Sequence, residues 1–331
     1  MNRRYVIGSK ALLLVLTLLL SGCSSIDEDL SDCGSEYEME YKLCLETDIN
    51  TELQSQLDQQ TDGQVADALY NHLKNIFSDV AYDIDLSFYD TGKEGTLLQN
   101  KELEMGTNER SYTIFLPAHE YRHAAIANLA NNHQVVKEGE KQSYTLALHQ
   151  ELPDTVDSHE SGLFTGRADL DVKENENQSF QVDLYMANSA AAMVIDRQGI
   201  EVKEIKVFTT GFASGFNVND STYTFEKTSP IVRTTSVDTG TDQLCFCSVN
   251  FPSRDKADGD EALWEYRVYV TLADGSVTET ILSVKEPLGA GKLKVVQCTL
   301  CADGSLTTSN PSVGVSVTLE WKEGGTYEPD F

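Results

Sequence analysis

Positive charge is scarce in this sequence. Its 331 residues include 25 Lys and Arg against 53 Asp and Glu, a formal charge of −28 at pH 7. So acidic a surface repels nucleic acid and anionic headgroups, so no nucleic-acid partner is expected. Long apolar runs are lacking as well. Ala11–Leu20 is apolar over ten residues, whereas a membrane-spanning helix takes about 20, and no other run is long enough. Only two tryptophans occur, Trp264 and Trp321, both within strand patterns, which leaves little for the aromatic platform of a glycan-binding protein. Beyond His119 and His123, the histidines are His72, His133, His149 and His159, scattered along the chain. No nucleophile–base constellation and no glycine-rich phosphate loop after a strand stand out, so neither catalytic residues nor a cofactor are expected.

What is present begins at the N-terminus. Arg3, Arg4 and Lys10 precede the apolar run, and Leu20, Ser21, Gly22 and Cys23 follow directly. This order fits a signal peptide over residues 1–22. Leu20-Ser21-Gly22-Cys23 resembles a bacterial lipobox, which implies cleavage before Cys23 and lipid on its sulfur. Acyl chains would then be the anchor, each buried methylene contributing about 0.8 kcal/mol. Residues 23–35 form an acidic tether, "CSSIDEDLSDCGS". Acidic residues after a lipidated cysteine resemble the surface-export signals of Bacteroidota lipoproteins, which implies a surface-exposed place on the outer membrane. Residues 1–22 hold three basic residues and no acidic ones, so the remaining chain carries 22 basic against 53 acidic residues, or −31.

Beyond the tether the pattern is mainly β. In residues 36–46, Tyr37, Met39, Tyr41, Leu43 and Leu45 alternate with charged residues and Cys44. Ile84, Leu86 and Phe88 alternate with Asp83, Asp85 and Ser87, and Val313, Val315, Val317, Leu319 and Trp321 share one face at the C-terminus. Period two predicts half-buried strands. Further strands are predicted over 111–116, 143–149, 180–186, 202–209, 222–226, 230–237, 243–251, 264–272, 276–284 and 292–300. One segment has period 3.6: Val65, Leu69, Leu73, Ile76, Phe77 and Val80 form a stripe over Gln64–Val80, an amphipathic helix packed on the first sandwich. The chain's length predicts two domains, and the polar stretch Leu152–Gly162 places their boundary at 160/161, giving 36–160 and 161–331.

Two clusters of metal-ligating residues are present. His119-Glu120-Tyr121-Arg122-His123 is H-E-x-x-H. On a helix the two imidazoles lie one turn apart and the glutamate polarises zinc-bound water. On a strand they are about 13 Å apart, too far for one zinc. A third ligand from Glu138, Glu140 or Glu151 would come from turn and strand. The cysteines other than Cys23 are Cys33, Cys44, Cys245, Cys247, Cys298 and Cys301. Outside the cytoplasm they point to disulfides or buried thiols, with a four-thiolate zinc site from the last four as the alternative. Asp255–Glu261 misses the spacing of a calcium loop and reads as a turn.

Several short motifs carry a family resemblance. Asp29-Leu30-Ser31-Asp32-Cys33 after the lipobox resembles the N-terminus of the FimB/Mfa2 family of fimbrial anchor lipoproteins. Leu116, Pro117, Ala118, Tyr121, Ala125, Asn128 and Leu129 resemble one of its strands. Gly162–Gly166 ("GLFTG") resembles the start of its second domain, and "VTLEWKEGG" its last strand. Many members have Gly where Glu120 stands, and many keep a proline- or glycine-rich first loop that is less evident here. The resemblance implies two transthyretin-like β-sandwich domains, with the helix in the first and with residues 119–127 a strand rather than a zinc-binding helix; no metal is then expected. It also implies a lipid-anchored base subunit that attaches a fimbria to the outer membrane, limits its length and has fimbrillin subunits as partners. The alternatives are a surface adhesin or glycan-binding lipoprotein and, from a different class, a zinc peptidase through His119, Glu120 and His123.

Overall fold

The computed structural model describes residues 36–46, 57, 63–77, 81–92, 94–104, 111–151, 155–174, 176, 178–256 and 261–320. Apart from Glu36, all belong to the compact unit 37–331. The strands are β1 (Glu36–Glu46), β2 (Asp83–Asp90), β3 (Leu97–Glu104), β4 (Ser111–Pro117), β5 (His119–Ala127), β6 (Val135–Glu138), β7 (Ala147–Gln150), β8 (Val156–Asp157), β9 (Phe164–Val172), β10 (Gln178–Met186) and β11 (Ser189–Asp196). They continue as β12 (Val202–Thr210), β13 (Gly215–Asn217), β14 (Thr222–Thr224), β15 (Val232–Arg233), β16 (Thr235–Val237), β17 (Gln243–Asn250), β18 (Trp264–Leu272), β19 (Val277–Val284), β20 (Leu293–Leu300), β21 (Leu306–Thr307) and β22 (Val313–Glu320). The fold is mainly β, as expected, with a single long helix among the described residues, α1 (Gly63–Ile76).

The strands form four sheets. A seven-stranded sheet runs β3-β2-β5-β9-β10-β1-β4, and a four-stranded one runs β14-β13-β7-β6. A five-stranded sheet runs β16-β17-β11-β20-β21, and a six-stranded one runs β22-β19-β18-β12-β15-β8. Tyr89, Ala124 and Ile126 of the seven-stranded sheet share a buried cluster with Val135, Leu148 and Phe216 of the four-stranded sheet, which makes the first sandwich. Ala191, Met193 and Ile195 of β11 share another with Val268, Val270 and Leu282, which makes the second. The opposite face of β11 (Ala190, Ala192 and Val194) joins a third cluster with α1 and the other face of the seven-stranded sheet. The five-stranded sheet is thus covered on both faces. β9 and β10, past residue 160, complete the seven-stranded sheet, while β8, before it, pairs with β15 in the six-stranded one.

α1 follows its sequence pattern. Val65, Leu69 and Leu73 are fully buried at i, i+4 and i+8, and Lys74 in the last turn complements the helix dipole. It ends at Ile76, earlier than the predicted Val80. Phe77 turns inward, with its amide donating to Leu73 O at 2.7 Å, and 78–80 lie outside the described residues.

Three strand predictions need correction. Within 143–149, residues Ser143–Thr145 form a 3-10 turn before β7. Thr145 Oγ1 donates to Gly139 O at 2.6 Å there, a local side-chain bond that competes with a ladder. The predicted 230–237 strand is two strands in different sheets, β15 and β16. Between them Thr234 sends both its amide and its hydroxyl to Val207 O, at 3.1 and 2.8 Å. In β2 the predicted polar face is not solvated: Asp85 and Ser87 are buried beneath the four-stranded sheet.

Candidate functional site

His119, Glu120 and His123 lie on a strand, β5, in register with β2 on one side and β9 on the other. Four strand steps separate the imidazoles by about 13 Å. Glu120 projects from the opposite face, as period two requires. The surroundings of the two histidines differ. His119 is exposed and 3.3 Å from Asp90 Oδ1. His123 is fully buried and uses both ring nitrogens. Ser87 O can only accept, so Nδ1 carries the proton and donates to it at 2.9 Å. Nε2 is then the acceptor for the Tyr41 hydroxyl. Burial holds the imidazole neutral and brings its pKa down to about 4, the Ser87 carbonyl opposing weakly. Burial likewise pushes the Tyr41 phenol well above its ordinary range. With both nitrogens engaged, His123 has no lone pair to offer a metal, so the H-E-x-x-H spacing does not form a zinc site here.

The Tyr41–His123 contact depends on sheet curvature. β9 and β10 stand between β5 and β1 in hydrogen-bonding order, so a flat sheet would hold the two residues three strand spacings apart, about 14 Å. The sheet curves instead, and β10 packs tightly against β9 at Gly166. A Cβ there would lie 2.5 Å from Asp183 O and 2.6 Å from Leu184 Cδ2 on β10. Sequence offered one hint of this contact, the matching apolar positions of β1. Its partner is 82 residues away.

The thiols do not gather. Cys245 faces Val194 across the β17–β11 ladder, whereas Cys298 faces Ile195 across the β11–β20 ladder. Adjacent residues of β11 point to opposite faces, so Cys245 and Cys247 sit in one core cluster and Cys298 in the other. A shared zinc from these four cysteines is excluded by that alternation. All four are free, and burial pushes the Cys245 and Cys298 thiols up to about 12 and the Cys247 thiol well above its ordinary value. Trp264 is equally committed to the interior. It packs against Phe212 and Tyr266, and its Nε1 donates to Glu286 O at 3.0 Å. It therefore forms no aromatic platform. Trp321 lies outside the described residues, as do Cys33 and the predicted lipidation site Leu20, Ser21, Gly22 and Cys23.

Two polar features escaped sequence reasoning. A cleft of about 490 Å³ opens beside β5 and β9, lined by Arg122, Ser143, Arg167, Asp169, Val218 and Asn219. Arg122 Nη1 donates to Ser143 Oγ there at 3.2 Å. Deeper between the sheets of the first sandwich, Lys137 of β6 bonds Asp85 of β2 and, at 2.7 Å, Glu140 Oε1. Asn100 Nδ2 donates to Asp85 Oδ1 at 2.7 Å and to Glu140 Oε1 at 3.0 Å. Burial pulls the Lys137 ammonium down, but its two carboxylate partners outweigh that and hold its pKa above the usual lysine value. No local pattern marks residues this far apart in the chain.

A buried imidazole with both nitrogens bonded, thiols kept neutral and a tryptophan packed inside form no catalytic centre; they stabilise a scaffold. The sequence profile of the fimbrillin-A associated anchor proteins Mfa1 and Mfa2 matches residues 61–323. The chain belongs to this anchor family. The match takes in α1 and every strand except β1. Solved structures of similar fold include a candidate adhesin of Bacteroides ovatus, 10% identical over 87% of this chain and 97% of that one, with TM-score 0.52. A candidate adhesin of Bacteroides thetaiotaomicron is 13% identical over 85% and 96%, with TM-score 0.51. The fimbrial anchor protein Mfa2 of Porphyromonas gingivalis is 10% identical over 86% and 99%, with TM-score 0.45. No curated protein matches by sequence. At such identities the likeness to the two adhesins concerns the fold; membership of the anchor family rests on the profile. Among the described residues, no helix is long and apolar enough to cross a membrane.

Proposed function

We propose that the protein is the base subunit of a fimbria, held in the outer membrane by lipid on Cys23, bound to fimbrillin subunits and limiting the length of the polymer. The observation that carries this reading is the anchor-family match over residues 61–323, preceded in the same chain by Leu20-Ser21-Gly22-Cys23. The role is structural rather than catalytic. Residues 1–22 are read as the signal peptide and 23–35 as the tether. Two domains, 36–160 and 161–331, follow in this reading, although β9, β10, β13 and β14 come after residue 160 and pair within the sheets of the first sandwich.

The chain's arginines support a place at the base rather than along the polymer. Polymerising fimbrillins of this type, as the family resemblance implies, lose an N-terminal strand after a basic residue, commonly arginine, which opens a groove that a neighbour's strand fills. No arginine lies between Cys23 and Arg110. A cut at Arg110 would remove β1, α1 and β2, and with them Met39, Tyr41, Leu69, Leu73, Leu86 and Phe88 from the core. That loss of apolar burial unfolds the domain instead of opening a groove. Cys23→Ser should release fimbriae into the medium. Outer-membrane partitioning of that variant, or a major surface species whose N-terminus lies between residues 34 and 60, would overturn the reading. β22 is the candidate for the single polymer contact: among the described residues it pairs on one side only, with β19, and it exposes Val315.

A further inference from the structure

We propose that Lys137 and Asp85 become joined by an amide bond between their side chains, with Glu140 as the acid–base group, so that β6 and β2 are covalently linked across the first sandwich. The juxtaposition is specific. Lys137 Nζ is in hydrogen-bond contact with Asp85 Oδ2 and lies 2.7 Å from Glu140 Oε1. Side-chain exposure is 14% for Lys137 and 11% for Asp85, while Glu140 reaches solvent at 35%. The tight turn after β6 brings this about. Gly139 has φ of +67°, and a Cβ there would lie 1.9 Å from Thr145 O, so the chain reverses at a position that only glycine fills. Glu140 is thereby folded back onto the lysine three residues before it.

The chemistry balances without a co-reactant. The resting pair is an ammonium and a carboxylate. Transfer of one proton from Lys137 to Asp85 gives a neutral amine beside a neutral acid; burial of the pair favours this transfer, while the carboxylates around Lys137 oppose it and keep the ion pair as the resting state. The amine attacks Asp85 Cγ. Glu140 takes a proton from the attacking nitrogen and returns it to the departing hydroxyl. The Nζ–Cγ bond forms, one Cγ–O bond breaks, one water leaves, and Glu140 ends as it began. Nothing is oxidised or reduced. Positioning of amine and acid within contact of each other supplies the advantage that an intramolecular reaction has over one in solution.

The product suits its surroundings better than the ion pair does. Two charges disappear from between the sheets. The amide N–H faces Glu140 Oε1, and the amide oxygen keeps Asn100 Nδ2, now 2.7 Å from Asp85 Oδ1, as its donor. Glu140, the one charge left, has access to water. The other lysine pairs differ. Lys294 meets Glu286, but the exposures are 22% and 46%, and the other bond to the Glu286 carboxylate comes from the Ser312 hydroxyl. Lys294 should therefore stay unlinked. The bond would close a loop between residues 52 apart in sequence, restricting the unfolded chain as a disulfide does but without sensitivity to reductant.

Tryptic mapping by mass spectrometry of the full chain tests this. A branched species is expected that joins the peptides containing Asp85 and Lys137, lighter than their sum by the mass of one water, with no cleavage after Lys137. Cleavage after Lys137, and recovery of both peptides unlinked, would show an ion pair only and overturn the proposal. The wild-type chain decides this, so the outcome does not depend on a variant folding. Glu140→Gln keeps the shape of the site and should yield mainly unlinked peptides. Full linkage in that variant would overturn the role given to Glu140. Lys294 provides the internal control and should be cleaved after normally.

Discussion

The two sandwiches share an architecture and differ in what they bury. The first encloses polar chemistry: His123 between Tyr41 and Ser87, and Lys137 among Asp85, Glu140 and Asn100. The second encloses Trp264, Tyr266, Phe212 and aliphatic side chains, with Cys298 protonated among them. A paired polar group costs little while its partners remain and a great deal once one is lost. An apolar cluster has no such dependence on pairing or protonation. The first sandwich should therefore respond to pH and to the loss of single partners, and the second to loss of volume.

The largest effect expected from one substitution lies in the second sandwich. Trp264→Ala removes a side chain that is 1% exposed and should cost about 3–5 kcal/mol, because the cavity adds to the lost burial. Chemical denaturation measures it; a loss below about 1 kcal/mol would mean that the second core is no more volume-dependent than the surface.

Acid should act next, and on the first sandwich. His123 is held neutral at a folded pKa of about 4, below its unfolded value of 6.5. Above 6.5 neither state carries the proton, and the full stability is present. As pH falls from 6.5 towards 4, only the unfolded chain takes up the proton, so stability declines by roughly 3 kcal/mol and then levels off. His159, with a folded value of about 3, adds a decline of its own over the same window and continues it towards pH 3. His123→Phe should remove about half of the histidine-linked slope between pH 6.5 and 4, leaving the part due to His159, while lowering stability at pH 7 by about 1–3 kcal/mol, since the Tyr41 hydroxyl and Ser87 carbonyl lose their partner. An unchanged slope in that variant would place the acid sensitivity elsewhere.

The thiols extend the contrast to reactivity. Cys245, Cys247 and Cys298 should resist a thiol reagent in the folded protein and react only on unfolding, with the half-exposed Cys301 labelled first. Cys245→Ala should cost about 1 kcal/mol. Labelling of Cys245 at the rate of Cys301 would contradict the coverage of that sheet on both faces.

His119→Ala should have the smallest effect, within about 0.5 kcal/mol, because its pairing with Asp90 is exposed. Setting it beside a His123 variant separates two residues that the H-E-x-x-H spacing treats as equivalent. Equal costs would erase the distinction between surface and core within β5.

How much could be read in advance depended on solvent. β19 alternates buried and half-buried along its whole length, and α1 carries one stripe; each has a wet face, so its period was visible in the residue order. β11, "SAAAMVID", is buried from Ser189 to Ile195. With both faces covered there is no contrast to alternate, and it was not among the predicted strands. The polar residues of β2 misled for the opposite reason: Asp85 and Ser87 look like a solvated face, yet they meet partners from β3 and β6.

By itself, then, the sequence determined the strand-rich class, the helix, the acidic charge and the motifs of the anchor family, all properties of neighbouring residues. Only the tertiary structure decided that His123 is a structural hydrogen-bonding group, donating and accepting, instead of a ligand, that the cysteines divide between two cores, and that Lys137 finds two carboxylates. Those outcomes depend on which strands pair and how far the sheet coils, and contacts across 52 or 82 residues leave no period in the chain.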